Sequence, residues 1–116
     1  MRPVSPTGSE DSAGLPGVEA EKEAEENKRV RLYARVTGRV QGVGFRWFCQ
    51  RAACSRALGG WVRNRPDGSV EAEVEGPAGG VRAFLADLSH GPVGARVEQV
   101  ITERRVPEES DAFTIR

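Results

Sequence analysis

The feature that most constrains the fold is a change of hydrophobic period between residues 31 and 53. Residues 31–40 alternate between apolar and polar or charged side chains, which predicts a strand with one buried face. From residue 45 onward the apolar residues recur at the spacing of a helical stripe, which predicts a helix. The apolar positions are Leu32, Ala34, Val36 and Val40 in the strand, and Phe45, Phe48, Cys49, Ala52 and Ala53 in the helix. A glycine-containing turn must therefore join the two elements.

Periodicity also predicts the later elements. Strands are expected over residues 61–65 and 69–75, on either side of the turn signal Pro-Asp-Gly at residues 66–68. A second apolar helical stripe follows over residues 81–88. A strand is predicted over residues 95–105, with a bulge where the alternation slips between Val97 and Val100, and a short strand ends the series at residues 113–115.

The order strand–helix–strand–strand–helix–strand, plus a short extra strand, predicts an α+β fold. It is the split βαβ, or ferredoxin-like, pattern of a two-layer sandwich. We expect two helices on one face of an antiparallel sheet whose other face is polar. A hairpin centred near residue 67 places Arg63 opposite Glu71 and Trp61 opposite Glu73 on that polar face. Glu71, Glu73 and Glu75 are expected to point outward there.

Residues 1–28 differ in composition from the rest of the chain. They contain seven acidic and three basic side chains, no aromatic residue and hardly any large apolar one. Such a segment cannot bury enough surface to offset the entropy of ordering, so we expect a disordered acidic arm over residues 1–28 and one folded domain over residues 29–116. The domain has fourteen arginines and ten acidic residues, a net charge of +4 that should attract small anions.

The cysteines and the hydropathy pattern indicate the cellular compartment in which the protein is expected. Cys49 and Cys54 lie five positions apart on the predicted helix, where their side chains point away from each other, so they cannot form a disulfide. Free thiols indicate a reducing environment. No apolar run is long enough to span a membrane or to serve as a signal sequence. We therefore expect a cytoplasmic protein with no membrane partner.

The turn between the first strand and the first predicted helix has the composition of an oxyanion site. Gly38, Gly42 and Gly44 can adopt backbone conformations closed to other residues, which exposes consecutive N–H groups at a helix start. Arg46 adds a planar guanidinium that matches two phosphate oxygens. The domain has a single histidine, His90, and no catalytic triad, metal-ligand cluster or nucleotide-binding motif is visible. Any reaction at this turn would therefore have to proceed without a catalytic triad, a metal ion or a bound nucleotide.

Two motifs occur in order along the chain. The first is Gly38-Arg39-Val40-Gln41-Gly42-Val43-Gly44-Phe45-Arg46, and the second is Gly60-Trp61-Val62-Arg63-Asn64, followed by Gly68, Val70 and Gly76. In these motifs the sequence resembles the acylphosphatase family, over roughly residues 30–116. The resemblance implies a ferredoxin-like fold and a hydrolase of phosphorus-containing acid anhydrides. Such an enzyme cleaves the carboxyl–phosphate bond of acyl phosphates to a carboxylate and inorganic phosphate.

The resemblance also implies roles for particular residues. Arg46 and Asn64 are expected to be catalytic, Arg46 by binding the phosphate and Asn64 by orienting the attacking water. The expected phosphate-binding residues are Gln41, Gly42, Val43, Gly44, Phe45 and Arg46. We expect no cofactor and no metal. The expected partners are a small acyl phosphate as substrate and inorganic phosphate or sulfate as inhibitor, and the protein is expected to be a monomer.

Two other functional classes fit parts of the sequence. The split βαβ layout also hosts RNA-binding domains that stack bases on aromatic side chains of the central strands, but acidic residues on the outer face of strand 69–75 disfavour RNA. A catalytically idle, anion-binding acylphosphatase-like module is the other alternative. Because no second domain accompanies this one in the sequence, we expect a free-standing enzyme. The acidic residues on strand 69–75 lead us to expect no nucleic-acid partner.

Overall fold

The computed structural model describes residues 16–116, with side chains from residue 20 onward. Three helices and five strands follow one another along these residues. They are α1 (Pro16–Asn27), β1 (Arg29–Arg39), α2 (Phe45–Ser55), β2 (Gly59–Asn64), β3 (Val70–Pro77), α3 (Ala78–His90), β4 (Arg96–Arg105) and β5 (Phe113–Ile115). None of these helices is both long and apolar enough to cross a membrane.

The strands form one sheet in the order β4-β1-β3-β2-β5. All neighbouring strands are antiparallel except β2 and β5, which run parallel, so the sheet is mixed. The register of β2 with β3 places Arg63 opposite Glu71 and Trp61 opposite Glu73, as the hairpin pattern predicts. The predicted bulge is also present, because the pairing of β1 with β4 shifts between Thr37 and Gly38.

Helices α2 and α3 cover one face of the sheet, as expected for the ferredoxin-like sandwich. The alternation along β1, β2 and β3 turns one set of apolar side chains toward these helices, and the helical stripes of α2 and α3 close the core. The core residues on the helices are Phe45, Cys49, Ala52 and Ala53 in α2, and Val81, Phe84 and Leu88 in α3. Burial raises the pKa of the Cys49 thiol to about 12, and Cys49 and Cys54 are both free.

The opposite face of the sheet, which we call the charged face, differs from the expectation in its exposure. Glu71 and Glu75 do point away from the helices, but both are buried. Glu75 has no exposed surface because Arg29 and Arg31 approach it from the sheet and the segment after β4 covers it. The backbone N–H groups of Glu108 and Glu109 each donate to its carboxylate at 2.8 Å. A carboxylate can be buried in this way because guanidinium and N–H donors replace the water that it loses.

The acidic segment before the sheet also differs from the expectation. The expected disordered arm covered residues 1–28, but residues 16–27 form helix α1; residues 1–15 lie outside the described part of the chain. The helix contains five Glu, two Ala and one Lys among its twelve residues, and these residue types favour a helix even without a large apolar face. It contacts α3 through an exposed ion pair between Glu26 and Arg82 at 2.7 Å. The Ala78 N–H also donates to the Lys28 carbonyl at 2.8 Å.

Candidate active site

The turn between β1 and α2, residues 41–46, offers a row of unused backbone donors. Gly42 and Gly44 lie in the left-handed region, at φ 75° and 78°, and Gly44 is the N-cap of α2 with no side-chain cap. Within residues 16–116, the N–H groups of residues 42–46 have no hydrogen-bond acceptor in the protein. A Cβ built on Gly42 or Gly44 would meet no atom within 4 Å, so the protein leaves space beside these two glycines. Unpaired N–H donors at a helix start suit a small anion.

The turn opens into a small cleft that it shares with the end of β2. The cleft has a volume of about 90 Å³ and is lined by Val40, Gly42, Gly44, Phe45, Arg46, Trp47 and Asn64. Arg46 is exposed and makes no ion pair with any carboxylate of residues 20–116. The fold therefore brings Arg46 and Asn64, which are far apart in sequence, to the walls of the same cleft.

Asn64 owes its place to the β2–β3 hairpin. It is the last residue of β2 and lies opposite Val70, and in the described part of the chain its side chain has no hydrogen bond to protein. The turn that follows is held by an Arg65 N–H bond to the Ser69 carbonyl at 2.8 Å. Asp67 accepts from both the hydroxyl and the N–H of Ser69, and these bonds lower the pKa of Asp67 to about 2.

Gln41 connects the two halves of the site. Its side-chain Nε2 donates to the Arg65 carbonyl at 2.7 Å and to the Ser69 carbonyl at 2.9 Å. These bonds tie the start of the glycine turn to the residue next to Asn64. The Gln41 side chain therefore points to the hairpin, so any contact of this residue with an anion in the cleft would come from its backbone.

The other expected phosphate-binding residues divide into two groups. Gly42, Gly44, Phe45 and Arg46 line the cleft, although the Phe45 ring itself is buried in the core. Val43 packs against the core instead and does not line the cleft.

One residue of the cleft, Trp47, was not singled out from the sequence. It directly follows Arg46 and lies off the apolar stripe of α2, and 67% of its surface is exposed. A large aromatic residue outside the buried stripe was the signal available in the sequence.

The two arginines on either side of Asn64, unlike Arg46, form ion pairs with carboxylates. Arg63 pairs with Glu71, and Arg65 contacts Glu71 at 3.2 Å and Asp67 at 3.5 Å. Burial opposes ionisation of Glu71, but hydrogen bonds from Tyr33, Arg63 and Arg65 outweigh it and lower the pKa of this carboxyl. Arg46 is thus the arginine of the cleft whose charge is not already matched within residues 20–116.

Comparison with known proteins assigns the chain to a family. The acylphosphatase family model matches residues 32–115, so the chain belongs to the acylphosphatase family. An acylphosphatase from Thermococcus kodakarensis is 47% identical over 88 residues, which are 76% of this chain and 97% of that protein.

Solved structures agree with that assignment. The crystal structure of an acylphosphatase from Bacillus subtilis superimposes with a TM-score of 0.72 at 39% identity, over 74% of this chain and 97% of that one. An acylphosphatase from Coxiella burnetii gives a TM-score of 0.74 at 33% identity, over 78% and 96% of the two chains.

Proposed function

We propose that the protein is an acylphosphatase that hydrolyses acyl phosphates to a carboxylate and inorganic phosphate in the cleft between the glycine turn and Asn64. One observation carries this proposal: the N–H groups of Gly42, Gly44, Phe45 and Arg46, the Arg46 guanidinium and the Asn64 amide meet at one small cleft, and none of them has a partner among residues 20–116. Membership of the family supports it, since the relatives named above are acylphosphatases.

In this proposal the phosphate binds at the glycine turn. The N–H groups of residues 42–46 donate to its oxygens, and Arg46 places two guanidinium N–H groups against two of them. Phosphoryl transfer needs mainly positioning and stabilisation of charge on the equatorial oxygens. Donors fixed by the start of α2 supply that stabilisation without reorganising during the reaction. The same contacts make inorganic phosphate or sulfate a competitive inhibitor.

Asn64 is proposed to hold the attacking water on the opposite side of the phosphorus from the leaving group. Its amide can accept one hydrogen bond from the water and donate another, which fixes the direction of attack. The leaving group is a carboxylate, a weak base that departs without being protonated. The cleft therefore needs no general acid beside the leaving oxygen.

The alternative from a different class is an acylphosphatase-like module that binds anions without turnover. It would use the same turn and the same Arg46, so binding alone does not separate the two functions. RNA binding is less well supported, because the aromatic rings on the charged face are covered. Arg105 lies 4.7 Å from the ring centre of Tyr33, and Arg63 and Arg116 lie 5.3 and 4.7 Å from that of Trp61.

The test is hydrolysis of acetyl phosphate compared with p-nitrophenyl phosphate, a phosphate monoester whose leaving group is a stronger base. We expect turnover of the acyl phosphate and much slower turnover of the ester. Arg46→Ala should lower kcat/KM for acetyl phosphate by about 100-fold or more. Arg51→Ala is the matched control, because Arg51 is an exposed arginine on the same helix that does not line the cleft.

The outcomes of these assays distinguish between the proposed functions. Binding of phosphate without hydrolysis of any acyl phosphate would favour the non-catalytic module. Similar rates on the ester and the acyl phosphate would contradict the proposed specificity, and wild-type activity in folded Arg46→Ala would contradict the proposed site.

A further inference from the structure

We infer that Trp47 forms the subsite for the acyl group of the substrate and that this subsite prefers flat apolar acyl groups, aromatic ones above all. This inference rests on the proposed function, because it assumes that the phosphate of an acyl phosphate lies at the glycine turn. It concerns the other end of the substrate.

Trp47 lies next to the proposed phosphate site. Trp47 lines the same cleft as Arg46 and Asn64 and is the next residue along α2 after Arg46. The acyl carbon is separated from phosphorus by a single bridging oxygen. A group attached that closely must lie against the rim of the phosphate site, and Trp47 is the large apolar side chain of that rim with an exposed surface.

Trp47 is also unusually exposed for a large aromatic residue. Four large apolar residues of the described chain are exposed, namely Trp47, Val93, Ile101 and Val106. Of these, Trp47 alone lines the cleft. An indole that is 67% exposed leaves apolar surface in water, and a ligand that covers it gains hydrophobic stabilisation. Gly42 and Gly44 line the same cleft as Trp47, and a Cβ built on either glycine would meet no atom within 4 Å, so the protein leaves space on that side of the cleft.

The chemistry of the rim gives the substrate class. Backbone donors recognise a phosphate but offer nothing to a hydrocarbon chain or ring, and the guanidinium of Arg46 is occupied by the phosphate in the proposed complex. The indole offers a flat apolar surface on which an aromatic ring can stack or pack edge to face. An acetyl group is too small to cover that surface. The rim should therefore discriminate between acyl groups, whereas the turn recognises the phosphate that all acyl phosphates share.

The experiment compares benzoyl phosphate with acetyl phosphate in the wild type, Trp47→Ala, Trp47→Phe and Ile101→Ala. Trp47→Ala should lower kcat/KM for benzoyl phosphate about 3- to 10-fold, the range measured for aromatic pairs, and change it less than about 2-fold for acetyl phosphate. Trp47→Phe should keep most of the preference. Ile101→Ala removes an exposed apolar side chain from β4, outside the cleft, and should change neither substrate.

A second measurement does not depend on turnover. Benzoylphosphonate and acetylphosphonate carry the same two acyl groups on a bond that water does not cleave. Wild type should bind the benzoyl compound more tightly, with a shift of the Trp47 indole NMR signal, and Trp47→Ala should lose that preference. If the wild type shows this preference but hydrolyses neither acyl phosphate, the proposed function fails while the subsite stands.

Three outcomes would overturn the inference. An unchanged benzoyl-to-acetyl ratio in folded Trp47→Ala, in both rates and binding, would show that the acyl group lies elsewhere. An equal loss on both substrates would show that Trp47 acts on the phosphate end or on the turn. If sedimentation shows that wild type self-associates and Trp47→Ala does not, with the ratio unchanged, the indole belongs to an interface between two copies of the chain.

Discussion

The cleft and the charged face use the same residue type in opposite ways. On the charged face, guanidinium groups meet carboxylates in the folded chain: Arg31 is 2% exposed and contacts Glu73 at 2.6 Å and Glu75 at 2.9 Å. In the cleft, Arg46 is exposed and has no such partner within residues 20–116. On the charged face most guanidinium groups meet carboxylates, although the buried Nε atoms of Arg35 and Arg65 have no hydrogen-bond partner among the described residues. In the cleft, by contrast, neither Arg46 nor the N–H groups of the turn have a partner in the described chain.

This difference separates structural arginines from the candidate functional one. A paired and buried arginine costs stability when its partner is removed, because an uncompensated charge remains. An exposed arginine without a partner can be removed at little cost to the fold. We therefore expect mutations on the charged face to act on stability and mutations in the cleft to act on activity.

The largest effect should come from the cleft, where Arg46 and Asn64 have different expected roles. Arg46→Ala should weaken phosphate inhibition and turnover together, because Arg46 contacts the phosphate before and during the reaction. Asn64→Ala should lower kcat about 100-fold and leave the inhibition constant of phosphate within a few-fold of wild type, because alignment of the water matters during attack. Steady-state kinetics with phosphate as inhibitor would measure both.

Arg46→Lys sharpens this test, since one ammonium cannot replace the planar fork, and it should recover little activity. All variants must keep the wild-type circular dichroism spectrum. Normal turnover by folded Asn64→Ala would remove Asn64 from the mechanism.

The next largest effect is expected on the charged face. Glu75→Gln should lower the free energy of unfolding by about 3 kcal/mol, because it leaves buried Arg31 without one of its two close carboxylates. Glu103→Gln is the matched control: Glu103 lies on neighbouring β4, is exposed and pairs with Arg105. Urea unfolding at neutral pH would measure both, and equal losses would contradict the distinction between buried and exposed pairs.

The pH dependence follows from the same carboxyl group. Burial opposes ionisation of Glu75, but hydrogen bonds from the Glu108 N–H, Arg29, Arg31 and the Glu109 N–H outweigh it, and its pKa falls from 4.5 to about 2. A folded pKa below the unfolded one stabilises the fold above about pH 4.5, and this contribution is lost as the pH falls toward 2. Unfolding curves of Glu75→Gln should depend less on pH in that range than those of the wild type.

A smaller effect is expected at Gln41, which joins the two halves of the site. Gln41→Leu removes the two hydrogen bonds that tie the glycine turn to the hairpin carrying Asn64, so the water should be less well aligned and kcat should fall about tenfold while phosphate affinity changes little. Gln50→Leu is the control, since Gln50 lies on α2 and donates at 3.4 Å to the Phe113 carbonyl instead. A loss of phosphate affinity with unchanged kcat would mean that the Gln41 side chain binds the anion.

The smallest effect is expected at the exposed ion pair between α1 and α3. Arg82→Ala removes the contact of Arg82 with Glu26 and should change the free energy of unfolding by less than about 1 kcal/mol, because both side chains are solvated. A thermal melt beside that of Glu75→Gln would show the contrast. A loss as large as that of Glu75→Gln would mean that α1 is an integral part of the fold.

Much of the fold was predictable because its elements have clear periods. The alternation along β1 and β3, the stripes of α2 and α3, and the Pro-Asp-Gly turn fix the hairpin register and the layer order. The bulge opposite Gly38 was visible as a slip in the alternation. These features depend on neighbouring residues, so a sequence pattern reports them directly.

The parts that were not predictable depend on contacts between distant segments. Burial of Glu75 requires N–H donors from Glu108 and Glu109, which no local pattern reveals. The Gln41 side chain turns toward a hairpin more than twenty residues away. Arg46 was identified from the composition of the glycine turn and Asn64 only from the resemblance of its motif to the family, and the roles of both in catalysis remain a prediction.

The pairing of the strands also bears on the speed of folding. Only β2 and β3 among the described strands form a tight hairpin. The central strand β1 pairs with β3 and with β4, so that Arg31 lies opposite both Glu75 and Arg105, and Phe113 must reach Gly60. Non-local pairings require long loops to close before any contact is gained, so mixed α and β domains fold more slowly than helical bundles of similar size. We expect the refolding rate to be correspondingly slow for a domain of this size, and most sensitive to changes in β1.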